Sequence, residues 1–180
     1  MAEVGARIEG RGIPIQLEEV EVALLLSLAA QMIDLVAPAS SDDPLVALVG
    51  IDPVATVPED PALRRLLPDA YSEDPDAAAQ FRRFTERDLR EAKVGNARAV
   101  AMVLADTDGM VVVSDDELEA WLGFLNDTRL TLGTRLELTE ENHDLLAQLS
   151  EDDPRAGLFQ VYDWLTFLQE SLVQRVLGDS

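Results

Sequence analysis

Apolar positions recur every three or four residues over most of the chain, and that spacing predicts helices. The most apolar stretch, Val20–Val36, follows Glu18-Glu19 and stops at Pro38. It predicts a first helix over about Glu18–Ala37, with acids where the helix dipole favours them and a proline to close it. Its apolar arc covers more than half the circumference, which places it at the centre of the fold. Before it, alternating apolar residues at Ala6–Glu9 and Ile13–Leu17 flank Gly10-Arg11-Gly12. They predict a β-hairpin, with Pro14 pushing its strand to an edge. Asp43-Pro44, Asp60-Pro61 and Asp74-Pro75 each set an aspartate at an N-cap and a proline at the first helical position. Two short helices, Pro44–Val49 and Pro61–Leu67, are expected there, then a long one over Asp76–Leu104. Phe81, Thr85, Leu89, Ala92, Asn96, Ala99 and Val103 share one narrow face of that long helix, the side expected to pack inward. Met110–Val113 is a β-branched run able to add a third strand. Ser114 and Glu117 form a capping box for a helix over Asp115–Leu136 that buries Leu118, Leu122, Leu125, Leu132 and Leu136. A helix over Glu140–Leu149 and a last one from Pro154 to near Gly178 complete the pattern. The expected fold class is mainly α: a compact helical domain, single over 1–180, with a small two- or three-stranded antiparallel sheet made of the N-terminal hairpin and the strand at 110–113.

Composition narrows this picture. Hydrophobic residues make up 47% of the 180, enough for a packed core and too many for a disordered chain. The apolar stretch at Val20–Val36 carries Glu21, Ser27, Gln31 and Asp34, so it reads as a core helix and no membrane contact is expected. Residues 1–12 hold Glu3, Arg7, Glu9 and Arg11 and no apolar run, so no secretory signal is read and a cytoplasmic location is expected. The formal net charge is −21, which disfavours direct binding to nucleic acid or to an anionic membrane. Cysteine is absent, removing disulfides, thiolate metal sites and a Cys nucleophile.

Candidate chemistry is sparse. The lone histidine, His143, has no second His or Cys to complete a metal set, and the acidic pairs Asp42-Asp43, Asp115-Asp116 and Asp152-Asp153 stand at helix starts, where capping explains them. No catalytic, cofactor-binding or metal-binding residues are therefore assigned, and no cofactor is expected. Between Arg82 and Arg98, six cationic residues face three acids, a net +3 in an acidic protein. Arg83, Arg87, Arg90 and Arg98 share a stripe that is either a solvated face or a docking surface. Arg129 falls in the middle of an apolar face and needs a buried partner; Asp88, with Asn96 nearby, is the expected one, forming a polar knot. On the last helix, Trp164 and Phe167 project away from the Leu158/Val161/Tyr162/Leu165/Leu172/Val176 face, as candidate contacts in a dimer.

Several stretches resemble a known family. They are Asp60-Pro61-Ala62-Leu63-Arg64-Arg65-Leu66-Leu67-Pro68-Asp69-Ala70-Tyr71; Phe81-Arg82-Arg83-Phe84-Thr85-Glu86 with Leu89-Arg90; Trp121-Leu122 through Leu125-Asn126-Asp127 to Arg129-Leu130 and Leu132-Gly133-Thr134-Arg135-Leu136; and Tyr162-Asp163-Trp164-Leu165. Together they are similar to an uncharacterised actinobacterial family, a domain of unknown function often encoded beside the Clp protease adaptor. The resemblance implies no catalytic residues and only an associational link to Clp-dependent proteolysis. The expected function is a non-enzymatic regulatory or adaptor protein, a homodimer acting through protein contacts with a partner not yet named. One alternative is a transcriptional regulator using the basic stripe; another is an enzyme with a carboxylate–arginine pocket at Arg129.

Overall fold

The structure, a computed structural model, describes residues 1–37, 58–68 and 75–178; for 75–80 and Arg83 it describes the backbone alone. The predicted helix Pro44–Val49 lies outside the described residues. Among them the order is β1 (Glu3–Val4), β2 (Ile13–Gln16), α1 (Glu19–Val36), α2 (Pro61–Leu66), α3 (Pro75–Ala105), β3 (Met110–Val113), α4 (Asp115–Arg135), α5 (His143–Leu146) and α6 (Pro154–Leu177). The expected class holds: a mainly helical protein with a three-stranded antiparallel sheet. No described helix is long and apolar enough to cross a membrane.

The sheet departs from expectation in two places. β2 is the middle strand, pairing Val4 with Ile15 on one side and Ile13 with Val113 on the other. Pro14 is therefore not on an edge. Its carbonyl accepts from the Gly5 amide at 2.8 Å, but it has no N–H to return, and regular pairing with β1 stops at Val4. The first strand is accordingly Glu3–Val4, not Ala6–Glu9; of that run only Ile8 pairs, in a bridge to Gly12. Gly12, at φ 117°, lies so close to the end of β3 that an added Cβ would sit 2.1 Å from the Val113 carbonyl oxygen. Only glycine fits there.

The helix starts follow the sequence signals. The Asp60 side chain accepts from the amides of Ala62 and Leu63, and the Asp153 side chain from that of Arg155. Glu117 closes the Ser114 capping box. The helix after α4 shrinks from the expected ten residues to His143–Leu146, because Thr139 and Asn142 satisfy each other in a turn just before it.

The centre is α4, not α1. It packs against α2, α3 and α6 and touches α1 and β3, whereas α1 packs mainly on α3. The side chains α4 drives inward include Trp121, Phe124, Leu125 and Leu132, while Leu118 and Leu122 are only half-buried. They meet Ile13, Ile15, Val111 and Val113 of the sheet, Leu25 and Met32 of α1, Val100 and Leu104 of α3, and Leu165, Leu168 and Leu172 of α6 in one continuous core. Each fully buried leucine there contributes roughly 1.5–3 kcal/mol.

Candidate functional site

The long helix α3 turns inward a different face from the one its apolar spacing predicts. Arg82 (6% exposed), Glu86, Arg90, Lys93, Ala97, Val100 and Leu104 line its inner side, while Phe81, Leu89 and Ala92 are exposed. Unpaired carbonyls at two helix ends explain the inversion. Arg90 donates through one terminal nitrogen to the Val36 carbonyl at 2.8 Å, at the last residue of α1, and Arg82 donates to the carbonyl of Leu67, the C-cap of α2. Glu86 accepts from both guanidiniums, at 2.7–2.9 Å. Positive charge at a helix C-terminus is favourable, and a buried carbonyl left unpaired is not. Further along, Lys93 donates to Asp127 of α4 at 2.7 Å. Burial pushes the Asp127 carboxyl above the usual carboxylate range, while the Lys93 ammonium pulls it the other way.

This arrangement breaks up the basic stripe. Arg90 is committed to the α1 terminus, and the exposed Arg87 is paired with Glu91 at 2.7 Å. Arg98 is exposed and makes no hydrogen bond or ion pair among the described residues; the side chain of Arg83 lies outside them. Among the described side chains no continuous cationic line for nucleic acid is present.

With the charges turned in, apolar and small residues are turned out. At about 100° per residue, Phe84, Ala92, Gly95, Ala99 and Met102 fall within about 80° on the outer side of α3, with only Asp88 among them as a charge. Phe84 is 65% exposed and Met102 74%. Nothing lies within 4 Å of where a Cβ on Gly95 would be.

Arg129 is placed differently from expectation. Asp88 is exposed on α3, and Asn96 packs at Gly123; neither partners Arg129, so the predicted polar knot does not form. The guanidinium instead donates to Thr166 Oγ1 at 2.8 Å, Gln169 Oε1 at 2.9 Å and the Tyr162 hydroxyl at 3.5 Å, and lies 5.4 Å from the centre of the Tyr162 ring. It lines a partly open cleft of about 500 Å³ with Arg65, Asn126, Thr134, Glu137 and Tyr162. The buried acid of α4 is Asp127, but it pairs with Lys93 and not with Arg129, whose expected carboxylate partner is absent among the described residues.

On α6, Trp164 packs against the core, its indole N–H buried without an acceptor, so the ring is not free for a partner. Phe167 is 42% exposed but stands among Gln160, Asp163, Glu170 and Gln174. A lone exposed phenylalanine is ordinary, whereas a contiguous apolar face marks contact surfaces. His143 packs edge-on to Phe159, and among the described residues no three potential ligands gather where they could hold a metal ion. The outer face of α3 was missed in the sequence, and the pocket at Arg129 was expected only as an alternative, with Asp88 and Asn96 in place of the residues that line it. The Ala92/Gly95/Ala99 spacing was the available sign of the first; the second had none beyond Arg129 itself.

A family model described as a domain of unknown function, DUF2017, matches residues 4–176. Proteins of Mycobacterium tuberculosis and Mycobacterium bovis named oxidative stress regulator AosR are 35% identical over 175 residues, an alignment that covers 88% of this chain and 79% of each of theirs. No solved structure matches.

Proposed function

The chain belongs to the DUF2017 family, and from that premise we propose that it is a non-enzymatic regulatory protein that works through protein contacts, as a homodimer joined along the outer face of α3. The regulatory part of this reading is supported by the relatives named oxidative stress regulators. The chain holds no cysteine, so a thiol–disulfide switch within it is unavailable.

The observation that carries the contact is the inversion of α3. Phe84 and Met102 are held in water while four charged side chains of the same helix are held inside. Ala92, Gly95 and Ala99 between them allow a second helix backbone to approach closely. The flank fits a second copy. Arg98 lies three residues after Gly95 and Glu91 four before it, on the same side of the face. An antiparallel crossing at Gly95 brings each Arg98, which has no partner among the described residues, opposite the Glu91 of the other copy that Arg87 also engages, so the contact holds two such pairs.

Light scattering on the wild type and on Phe84→Glu/Met102→Glu tests the reading. The expected result is a wild-type mass of two chains that falls to one chain in the variant, with an unchanged circular dichroism spectrum. A wild type that is monomeric at tens of micromolar, or a variant that stays dimeric, would overturn it.

A further inference from the structure

We infer that the cleft between α2, α4 and α6 binds a small molecule carrying an oxyanion, a carboxylate or a phosphate, with Arg129 and Arg65 recognising its charge. The volume of about 500 Å³ suits a metabolite-sized ligand. The charge pattern selects its sign. In this strongly acidic protein, Arg7, Arg82, Arg87, Arg90, Arg135 and Arg155 each pair with a carboxylate. Arg129 does not. Its three hydrogen bonds go to a threonine, a glutamine and a tyrosine, which orient the guanidinium and leave its charge unmatched. A guanidinium has five N–H donors, so one on each terminal nitrogen remains without an acceptor. Donors on both terminal nitrogens are thus left to reach an oxyanion in the cleft.

Arg65 reaches the same cleft from α2 and makes no hydrogen bond or ion pair among the described residues. Glu137, the only carboxylate among the lining residues, sits at φ 51°, in the left-handed region that a non-glycine residue enters at a cost. That angle belongs to the end of α4, where the Glu137 amide donates to Thr134 and the Leu138 amide to Gly133. Three of the stretches that carry the family resemblance meet around the cavity: Arg65 from the first, Asn126, Arg129 and Thr134 from the third, Tyr162 from the last. The inference does not depend on the dimer, because α3 does not line this cleft.

Calorimetric titration with citrate and, separately, with inorganic phosphate at fixed ionic strength tests it on the wild type, Arg65→Gln and Arg129→Gln. The expected result is saturable binding of at least one probe, with the tighter one naming the ligand class. Arg65→Gln should weaken that binding roughly tenfold and Arg129→Gln at least as much, as expected for loss of a charge-assisted hydrogen bond. Should Arg129→Gln unfold, Arg65→Gln decides alone, since the Arg65 side chain is exposed and makes no hydrogen bond or ion pair among the described residues. Absence of saturable binding by either probe at millimolar concentration, or binding unchanged in Arg65→Gln, would overturn the inference.

Discussion

Glu137 shows how a single backbone angle can be separated from the contacts around it. It follows the C-cap of α4, where its amide donates to Thr134 and the amide of Leu138 to Gly133, the paired bonds of a helix end that ordinarily carries glycine. Glu137→Gly keeps both bonds and removes the left-handed penalty, so it should raise stability by about 1 kcal/mol in a urea melt. The Lys93–Asp127 pair carries the opposite lesson. Lys93→Met leaves a buried carboxylate without its cation and should cost roughly 3 kcal/mol, whereas Lys93→Met/Asp127→Leu should recover most of that loss. The double variant melting no higher than the single one would show that the pair is not an isolated unit. Acid stability separates three carboxyls by sign. The Arg155 guanidinium holds Asp153 down to about 2, and Arg135 lowers Asp60. Their stabilisation is complete above the unfolded value of 3.8 and is lost as pH falls from there toward 2. Asp127 is raised, so its contribution runs the other way and declines as pH rises through the interval above 3.8. Asp153→Asn should therefore be less stable than wild type at pH 7 and equal to it near pH 2, read from denaturant midpoints.

At the scale of elements, the legible and illegible parts divide on physical grounds. Caps are local, so Asp60-Pro61, Ser114/Glu117 and Asp153-Pro154 marked three helix starts correctly, and Met110–Val113 is a strand with the bounds its β-branched run suggested. Helix facing is not local. Apolar spacing on α3 pointed to the Phe81/Leu89 side, but the free carbonyls of Val36 and Leu67, brought in by other elements, drew Arg90 and Arg82 inward and rotated the helix. The same rotation dispersed the arginine stripe and exposed Phe84. In the candidate cleft, Arg129 stood out as a cation on an apolar face, yet its partners come from α6, some thirty to forty residues away, and no spacing rule reaches them. Trp164 was misassigned for a related reason, since α6 is covered on more sides than one apolar face suggests. The hairpin offers a direct check on packing at this scale. Gly12→Ala forces a Cβ into the Val113 carbonyl at an angle that L-residues avoid, and should cost about 3 kcal/mol or more by thermal melting. Full retention of stability would mean that the β2–β3 junction is looser than described.

Over the whole molecule, a net charge of −21 makes self-repulsion the dominant long-range term. Screening it should raise the melting temperature as sodium chloride increases from about 10 mM to about 500 mM, over which the Debye length shortens from roughly 30 Å to a few ångströms. The same screening should tighten a contact between two acidic copies, which places the burden of attraction on the apolar outer face of α3. A chain without cysteine makes that contact open to a direct trial. Gly95→Cys introduces a single thiol at the proposed crossing point, and Gly157→Cys one on the exposed side of α6; a Cβ at either position has open space around it. A disulfide needs Cα atoms within about 7 Å, which only a two-fold contact at that residue supplies. Under mild oxidation and non-reducing electrophoresis, Gly95→Cys should convert to a covalent dimer rapidly and nearly completely, while Gly157→Cys remains a single chain. Equal, slow crosslinking of both, or none at Gly95→Cys, would contradict assembly through α3.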